Sequence, residues 1–127
     1  MCQNINEKAF WECYSLTTIS FPNCISIGQC AFQTCTTLEA ANFPNCTNIG
    51  ISAFDYCTSL KSANFPNCTT LDAYAFSACI NLETINFPLC ETIGAGAFTA
   101  CLRLNEVNFP MCTNIDNTAF ANCSSLT

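Results

Sequence analysis

Histidine is absent from this chain of 127 residues. Its absence removes Ser-His-Asp and Cys-His nucleophilic sites, histidine-ligated metals and the usual proton shuttle near neutral pH. Cations are scarce as well, with Lys8, Lys61 and Arg103 standing against nine acids for a net charge of −6. A chain this acidic, with no basic stripe, is not built for a phosphate backbone, which sets nucleic acid aside as a partner. The acids are spread one or two per repeat and read as solvated surface charge. The four glycines form no G-x-G-x-x-G or P-loop string that could cradle a phosphate. No two acids occupy facing positions that would make a carboxylate pair, so the sequence points away from an enzyme and from any cofactor. Apolar runs are only a few residues long, far short of a membrane span. The first twenty residues lack the basic start and apolar centre of a signal peptide, so a soluble chain without membrane insertion is expected.

What the chain does have is a pattern, F-x-x-C every 11 residues from Phe10 to Cys123, that uses all eleven phenylalanines. Two flavours alternate. Phe21, Phe43, Phe65, Phe87 and Phe109 begin F-P-x-C, and Phe10, Phe32, Phe54, Phe76, Phe98 and Phe120 sit in A-F-x-x-C, so the true repeat is 22 residues. An 11-residue apolar period could signal a right-handed coiled coil. Pro22, Pro44, Pro66, Pro88 and Pro110 exclude it, because each would remove a helical hydrogen bond and clash with the preceding turn. Short units at a fixed period read instead as a solenoid whose units bury their apolar faces against each other. The unbroken register leaves no place for a linker, so residues 1–127 are read as one domain of about six coils.

One unit runs Leu38-x-x-Ala41-x-Phe43-x-x-Cys46-x-x-Ile49 and the next Leu60-x-x-Ala63-x-Phe65-x-x-Cys68-x-x-Leu71. This matches the leucine-rich-repeat template L-x-x-L-x-L-x-x-N/C-x-x-L. The expected fold is an α/β solenoid, a right-handed coil stack. Parallel strands centred near Ile19, Ala41, Ala63, Ile85 and Val107 line one face, and each is closed by proline, which cannot donate to the ladder. After the inward Ile or Leu come Asn6, Gly28, Gly50, Asp72, Gly94 and Asp116. These residue types tolerate positive φ and predict a corner there. The A-F-x-x-C segment places Ala, Phe and Cys as on one helical turn, which predicts a short α or 3₁₀ segment on the other face.

The string C-x-S-L-x-x-x-N-F-P-x-C-x-x-I-G-x-x-A-F-x-x-C resembles the BspA-type leucine-rich repeats over the whole chain. It stands here as Cys57-x-Ser59-Leu60 leading to Phe65-Pro66, and as Ile49-Gly50-x-x-Ala53-Phe54-x-x-Cys57. The departure is F-P-x-C, where the family is expected to carry a β-branched residue before proline. The resemblance implies a surface-exposed or extracellular, non-enzymatic protein that acts in adhesion or as a receptor, and it supplies no binding motif residue by residue.

Twelve of the thirteen cysteines form two columns of six, one from Cys2 to Cys112 and one from Cys13 to Cys123, and only Cys30 stands apart. Stacked coils hold equivalent Cβ atoms near a spacing of about 4.8 Å, beyond the about 3.8 Å a disulfide prefers. With no C-x-x-C and no tetrahedral arrangement along a straight column, a metal or cluster site is not expected. Reduced, buried thiols in a reducing or anaerobic setting are the reading that remains.

Outward strand side chains form the usual binding face of a solenoid. Here these are the row Ser20, Asn42, Asn64, Asn86 and Asn108, beside Thr18, Ala40, Ser62, Thr84 and Glu106. Such uniform asparagines suit an amide ladder, while Asn42, Asn64, Asn86, Asn108, Thr84 and Glu106 are the candidate binding residues if the face recognises a protein partner. Tyr14, Ile80 and Leu102 share one position before the strand and form a candidate lateral contact. Neither end carries the polar cap that solenoids use. Ile5, Phe10, Ile115, Phe120 and Leu126 are therefore candidates for an end-to-end contact between copies, a heterologous interface that would give a filament.

Overall fold

The computed structural model describes residues 2–127 as a stack of coils carrying two parallel sheets. Four strands, β2 (Thr18–Ser20), β4 (Ala40–Asn42), β6 (Ser62–Asn64) and β8 (Thr84–Asn86), form one sheet. Six two-residue strands, β1 (Asn4–Ile5), β3 (Ser26–Ile27), β5 (Asn48–Ile49), β7 (Thr70–Leu71), β9 (Thr92–Ile93) and β10 (Asn114–Ile115), form the other. Every pair is in register at the repeat length, as in Ala41 opposite Ala63 and Ile27 opposite Ile49. The six-stranded sheet is absent from the sequence reading, which saw only inward Ile and Leu at those positions. Two residues are too few for an alternation to show, although the polar, apolar order of Asn48-Ile49 or Thr70-Leu71 already carries it.

The helical turn expected from A-F-x-x-C does not form; no helix occurs among the described residues, and the coil is built from strands and turns. Two residues of each inner coil are left-handed: Cys30, Ser52, Tyr74 and Gly96 before the Ala-Phe pair, and Thr34, Tyr56, Ala78 and Ala100 after it. Turn bonds close around them, Ala31 N–H to Gly28 O at 3.3 Å and Cys35 N–H to Phe32 O at 3.2 Å. The alternate N–H groups then point out of the coil. Cys30, Phe32 and Thr34 donate to Ile51 O, Ala53 O and Asp55 O of the next coil at 2.8–2.9 Å. An α-helix would spend those donors inside its own turn. Each left-handed residue other than glycine costs about 1–2 kcal/mol, offset by a third inter-coil ladder and by burial of the Ala and Phe side chains.

The corner glycines also differ from expectation. Gly28, Gly50 and Gly94 do not have positive φ; they are small because a Cβ there would lie 2.7–2.9 Å from backbone atoms of the preceding coil. Their N–H groups reach the previous coil's Ile or Leu carbonyl at 2.7–2.9 Å, and the two aspartates in this column, Asp72 and Asp116, make the same bond at 3.0 Å.

Two phenylalanine columns run through the core. Phe10, Phe32, Phe54, Phe76, Phe98 and Phe120 stack with centroids 5.0–5.5 Å apart and planes within 8° of parallel. Phe43, Phe65 and Phe87 stack at 5.1 and 5.3 Å and meet the first column edge-on, as between Phe43 and Phe54 at 6.0 Å and 71°. These are the offset and T-shaped arrangements that ring quadrupoles favour. Each fully buried Phe gains about 1.5–3 kcal/mol from transfer alone.

The fifth strand expected near Val107 is not made, and residues 105–108 lie unpaired beside β8. The break coincides with a step in the inward column. The column reads Ile19, Ala41, Ala63, Ile85, Val107, and the step from Ile85 to Val107 alone sets two branched side chains against each other. There the F-P column loosens as well: Phe87 and Phe109 are 6.2 Å apart and tilted by 30°. The coil stays attached elsewhere, through β9 with β10 and through Phe98 on Phe120 at 5.3 Å.

Candidate binding surface

On the exposed side of the four-stranded sheet the asparagines do form a ladder. Asn42 Nδ2 donates to Ser20 Oγ at 3.3 Å, Asn64 Nδ2 to Asn42 Oδ1 at 2.7 Å and Asn86 Nδ2 to Asn64 Oδ1 at 2.7 Å. The row is thus committed to itself from the first coil to the fourth. Asn108 does not join, because its backbone has left the sheet. Beside the row runs a charged line: Lys61 Nζ pairs with Glu39 at 3.0 Å and Arg103 with Glu83 at 3.2 Å. Both pairs are well exposed and contribute little to stability, about 0–1 kcal/mol each.

Thr84 and Glu106, the other candidate residues of this face, are both exposed and lie where the sheet opens. Between β8 and residues 105–108 is a cleft of about 260 Å³ lined by Glu83, Thr84, Ile85, Asn105 and Glu106. In the inner coils Lys61 N–H donates to Glu39 O at 2.9 Å and Glu83 N–H to Lys61 O at 3.0 Å, while Phe43 and Phe65 N–H donate to Asn64 and Asn86 O at 3.0 Å. The two counterparts at the cleft, Asn105 N–H to Glu83 O and Phe87 N–H to Asn108 O, are not made among the described residues.

The lateral candidates Tyr14, Ile80 and Leu102 are all exposed, the last two in adjacent coils. Sequence reasoning missed Leu89 and Met111, exposed residues in the F-P-x-C column. In the inner coils that column holds Asn45 and Asn67, whose amides donate to Pro22 O and Pro44 O at 2.7 Å. The signal was in the sequence: Asn, Asn, Asn, Leu, Met at positions 23, 45, 67, 89 and 111 breaks in the same two coils as Ile80 and Leu102.

Of the end-to-end candidates, Ile5 is buried, Phe10, Phe120 and Leu126 are half-buried, and Ile115 is 50 % exposed. On the convex side Asp55 is buried, with Oδ2 accepting from Gln33 Nε2 at 3.1 Å and Oδ1 without a partner among the described residues. Burial raises its carboxyl above the ordinary carboxylate range.

All thirteen cysteines are free thiols, nine of them buried. Each column has its own acceptor. Cys46 and Cys68 donate to the carbonyls of Asn48 and Thr70 at 3.2 and 3.3 Å, within their coil. Cys57, Cys79 and Cys101 donate to Phe32, Phe54 and Phe76 carbonyls of the coil before at 3.1–3.2 Å. Burial pushes the Cys35 and Cys90 thiols up to about 11 and Cys46 up to about 12. Desolvation raises Cys57, Cys68, Cys79 and Cys101 as well. These are protonated donors, poor nucleophiles and poor metal ligands, and no cluster of three or more metal-ligating side chains occurs among the described residues.

Residues 3–127 match the family model of the BspA type leucine rich repeat region in six copies. The chain belongs to that family. Solved structures similar to this BspA-type chain come from bacteria. A leucine-rich repeat protein from Eubacterium ventriosum is 29 % identical with a TM-score of 0.87, over 96 % of this chain and 34 % of the other. A leucine rich cell surface protein from Faecalibacterium prausnitzii is 27 % identical with a TM-score of 0.79, over 98 % and 41 %. A leucine rich repeat protein of T. pallidum is 34 % identical with a TM-score of 0.72, over 80 % and 50 %. The BspA-type chain spans between a third and a half of the length of these proteins. No curated protein matches it significantly. Among the described residues no helix is long and apolar enough to cross a membrane.

Proposed function

We propose that this chain is a non-enzymatic protein-binding module of the cell surface or extracellular space, serving in adhesion or as part of a receptor. The observation that carries the reading is the exposed four-stranded sheet, the face solenoids use for binding, beside which the fourth and fifth coils carry exposed Ile80, Leu89, Leu102 and Met111 with the cleft at the sheet's end. Likeness to a leucine rich cell surface protein supports the location. Free thiols throughout support a reducing or anaerobic setting.

A second reading, end-to-end stacking into a filament, is favoured by Ile115, half exposed on the last coil beside half-buried Phe120 and Leu126. Light scattering over a concentration series separates the two. A binding module stays monomeric, whereas fibres from the chain alone, abolished by Ile115→Asp, would replace the first reading with the second, because an unpaired charge in an apolar interface is costly.

A further inference from the structure

The row of residues between the strand-closing prolines and the first cysteine column changes character along the stack. It reads Asn23, Asn45, Asn67, Leu89, Met111. In the inner coils this row satisfies its own surface, because Asn45 and Asn67 donate to Pro22 O and Pro44 O of the coil before at 2.7 Å. Leu89 and Met111 take the same place in the repeat relative to Pro66 O and Pro88 O and have no side-chain hydrogen to donate. Neither carbonyl accepts a hydrogen bond among the described residues. Both side chains are exposed, Leu89 by 44 % and Met111 by 53 %. Equivalent positions in adjacent coils stand about 4.8 Å apart, so the two form one apolar patch.

Two residues further on, the next row makes the same change. Thr47 and Thr69 donate their hydroxyls to Ile25 O and Thr47 O at 3.2 Å. Glu91 follows them with an exposed carboxylate that makes no ion pair among the described residues. The margin of the fourth and fifth coils thus exchanges internal donors for an apolar pair, two free carbonyls and a negative charge. A partner suited to it brings donors, positive charge and aliphatic area together. Arginine has all three, in a planar guanidinium with five donors, weak hydration and a stem that packs on apolar surface. A second copy of this chain is poorly suited, since Lys61 and Arg103 are held by Glu39 and Glu83, and Lys8 lies over the Trp11 ring at 5.7 Å.

We infer that the margin carrying Leu89, Glu91 and Met111 docks an arginine-bearing segment of a partner protein. Guanidinium hydrogens are donated to Pro66 O and Pro88 O, Glu91 supplies the opposite charge, and aliphatic neighbours of the arginine pack on Leu89 and Met111. Complementarity of this kind sets specificity and orientation more than raw affinity. The inference rests on the protein-binding reading and names its surface and partner chemistry.

The test titrates the full chain, isotopically labelled for NMR, with the capped peptide Ile-Arg-Leu-Arg-Ile and follows the backbone amides. Saturable shifts confined to residues 88–91 and 110–113 are expected by millimolar peptide. Citrulline in place of both arginines keeps the shape and removes the charge, and should weaken binding at least tenfold. So should the triple variant Leu89→Asn, Glu91→Thr, Met111→Asn, which brings back the residues of the inner coils and should therefore unfold no earlier than wild type. Ile51→Ala, at an exposed apolar residue of the convex face, should bind as wild type does. No saturable shift, shifts centred elsewhere, equal binding of the citrulline peptide, binding that survives the triple variant, or loss of binding in Ile51→Ala overturns the inference. The light-scattering series bears on the protein-binding reading and this titration on the margin, so the two fail separately.

Discussion

Replacing Phe65 by alanine tests the aromatic core at its centre. Phe65 is fully buried, stacked between Phe43 at 5.1 Å and Phe87 at 5.3 Å, and edge-on to Phe54 and Phe76 at 5.9 Å. Truncating a buried Phe costs about 3–5 kcal/mol, of which the void left behind is a large part. Four aromatic contacts at about 0.5–1.5 kcal/mol each are lost with it, although such increments do not add. A loss of about 4–5 kcal/mol is expected, against about 0.5 kcal/mol for Thr58→Ala, whose side chain makes no hydrogen bond among the described residues. The parent domain has only about 5–15 kcal/mol to lose, so Phe65→Ala should unfold at far lower urea. Circular dichroism and Trp11 fluorescence followed together would show whether the first coil unfolds with the rest. Similar urea midpoints for Phe65→Ala and Thr58→Ala would refute the assignment of the column to the core.

Asp55→Asn should stabilise the fold by about 1 kcal/mol near neutral pH, the order of a buried polar atom left unpaired. Burial raises Asp55 in the folded state, so its neutral form stabilises fully below the ordinary carboxylate range and that contribution is lost as pH rises through the raised pKa; melting curves that show no gain at neutral pH, or an equal gain in acid, would contradict this. Thiol titration without reductant should find few reactive groups in the native chain, Cys2 first, and all thirteen after denaturation; a low count in both states would mean disulfides or bound metal. Gly94→Ala should cost roughly 1–3 kcal/mol by overpacking, since its Cβ would lie 2.7 Å from Ala73 N; an unchanged melting temperature would show that the coils can separate there at no cost. Val107→Ala, which restores the alanine of the inner coils, should pair residues 105–108 with β8 and slow exchange of the Phe87 amide; unchanged exchange would locate the cause of the cleft elsewhere.

The coil stack, the register and the core were legible in the spacing of Phe and Cys, because a fixed period forces every coil to bury the same positions. The convex turn was not. Ala-Phe-x-x-Cys has the spacing of a helical face, and what overrides it is a demand from outside the segment, the N–H groups of Cys30, Phe32 and Thr34 being claimed by the next coil. Residues as unlike as Tyr74, Ser52 and Cys30 share the left-handed position, so no residue type announced it. The glycine corner was read correctly as a constraint and wrongly as to its kind, because close approach of two backbones and positive φ both select glycine. At the binding face, Asn42, Asn64 and Asn86 were legible as a ladder from their uniformity. The cleft was hidden because Ile85 and Val107 are each ordinary inward residues, and only their adjacency, across 22 residues of sequence, is unusual.

The convex ladder has an electrostatic consequence. Its N–H groups all point toward the following coil, as Phe32 does to Ala53 O, while the side-chain rows of the strand faces donate toward the preceding one, as Asn64 does to Asn42 and Thr69 to Thr47 O. In an α-helix every peptide dipole points the same way, and the sum appears as partial charges of about half an elementary charge at the ends. Here the two sets of bonds oppose each other along the stack axis. Lengthening such a solenoid coil by coil therefore adds opposed dipoles, where lengthening a helix adds dipoles of one sense.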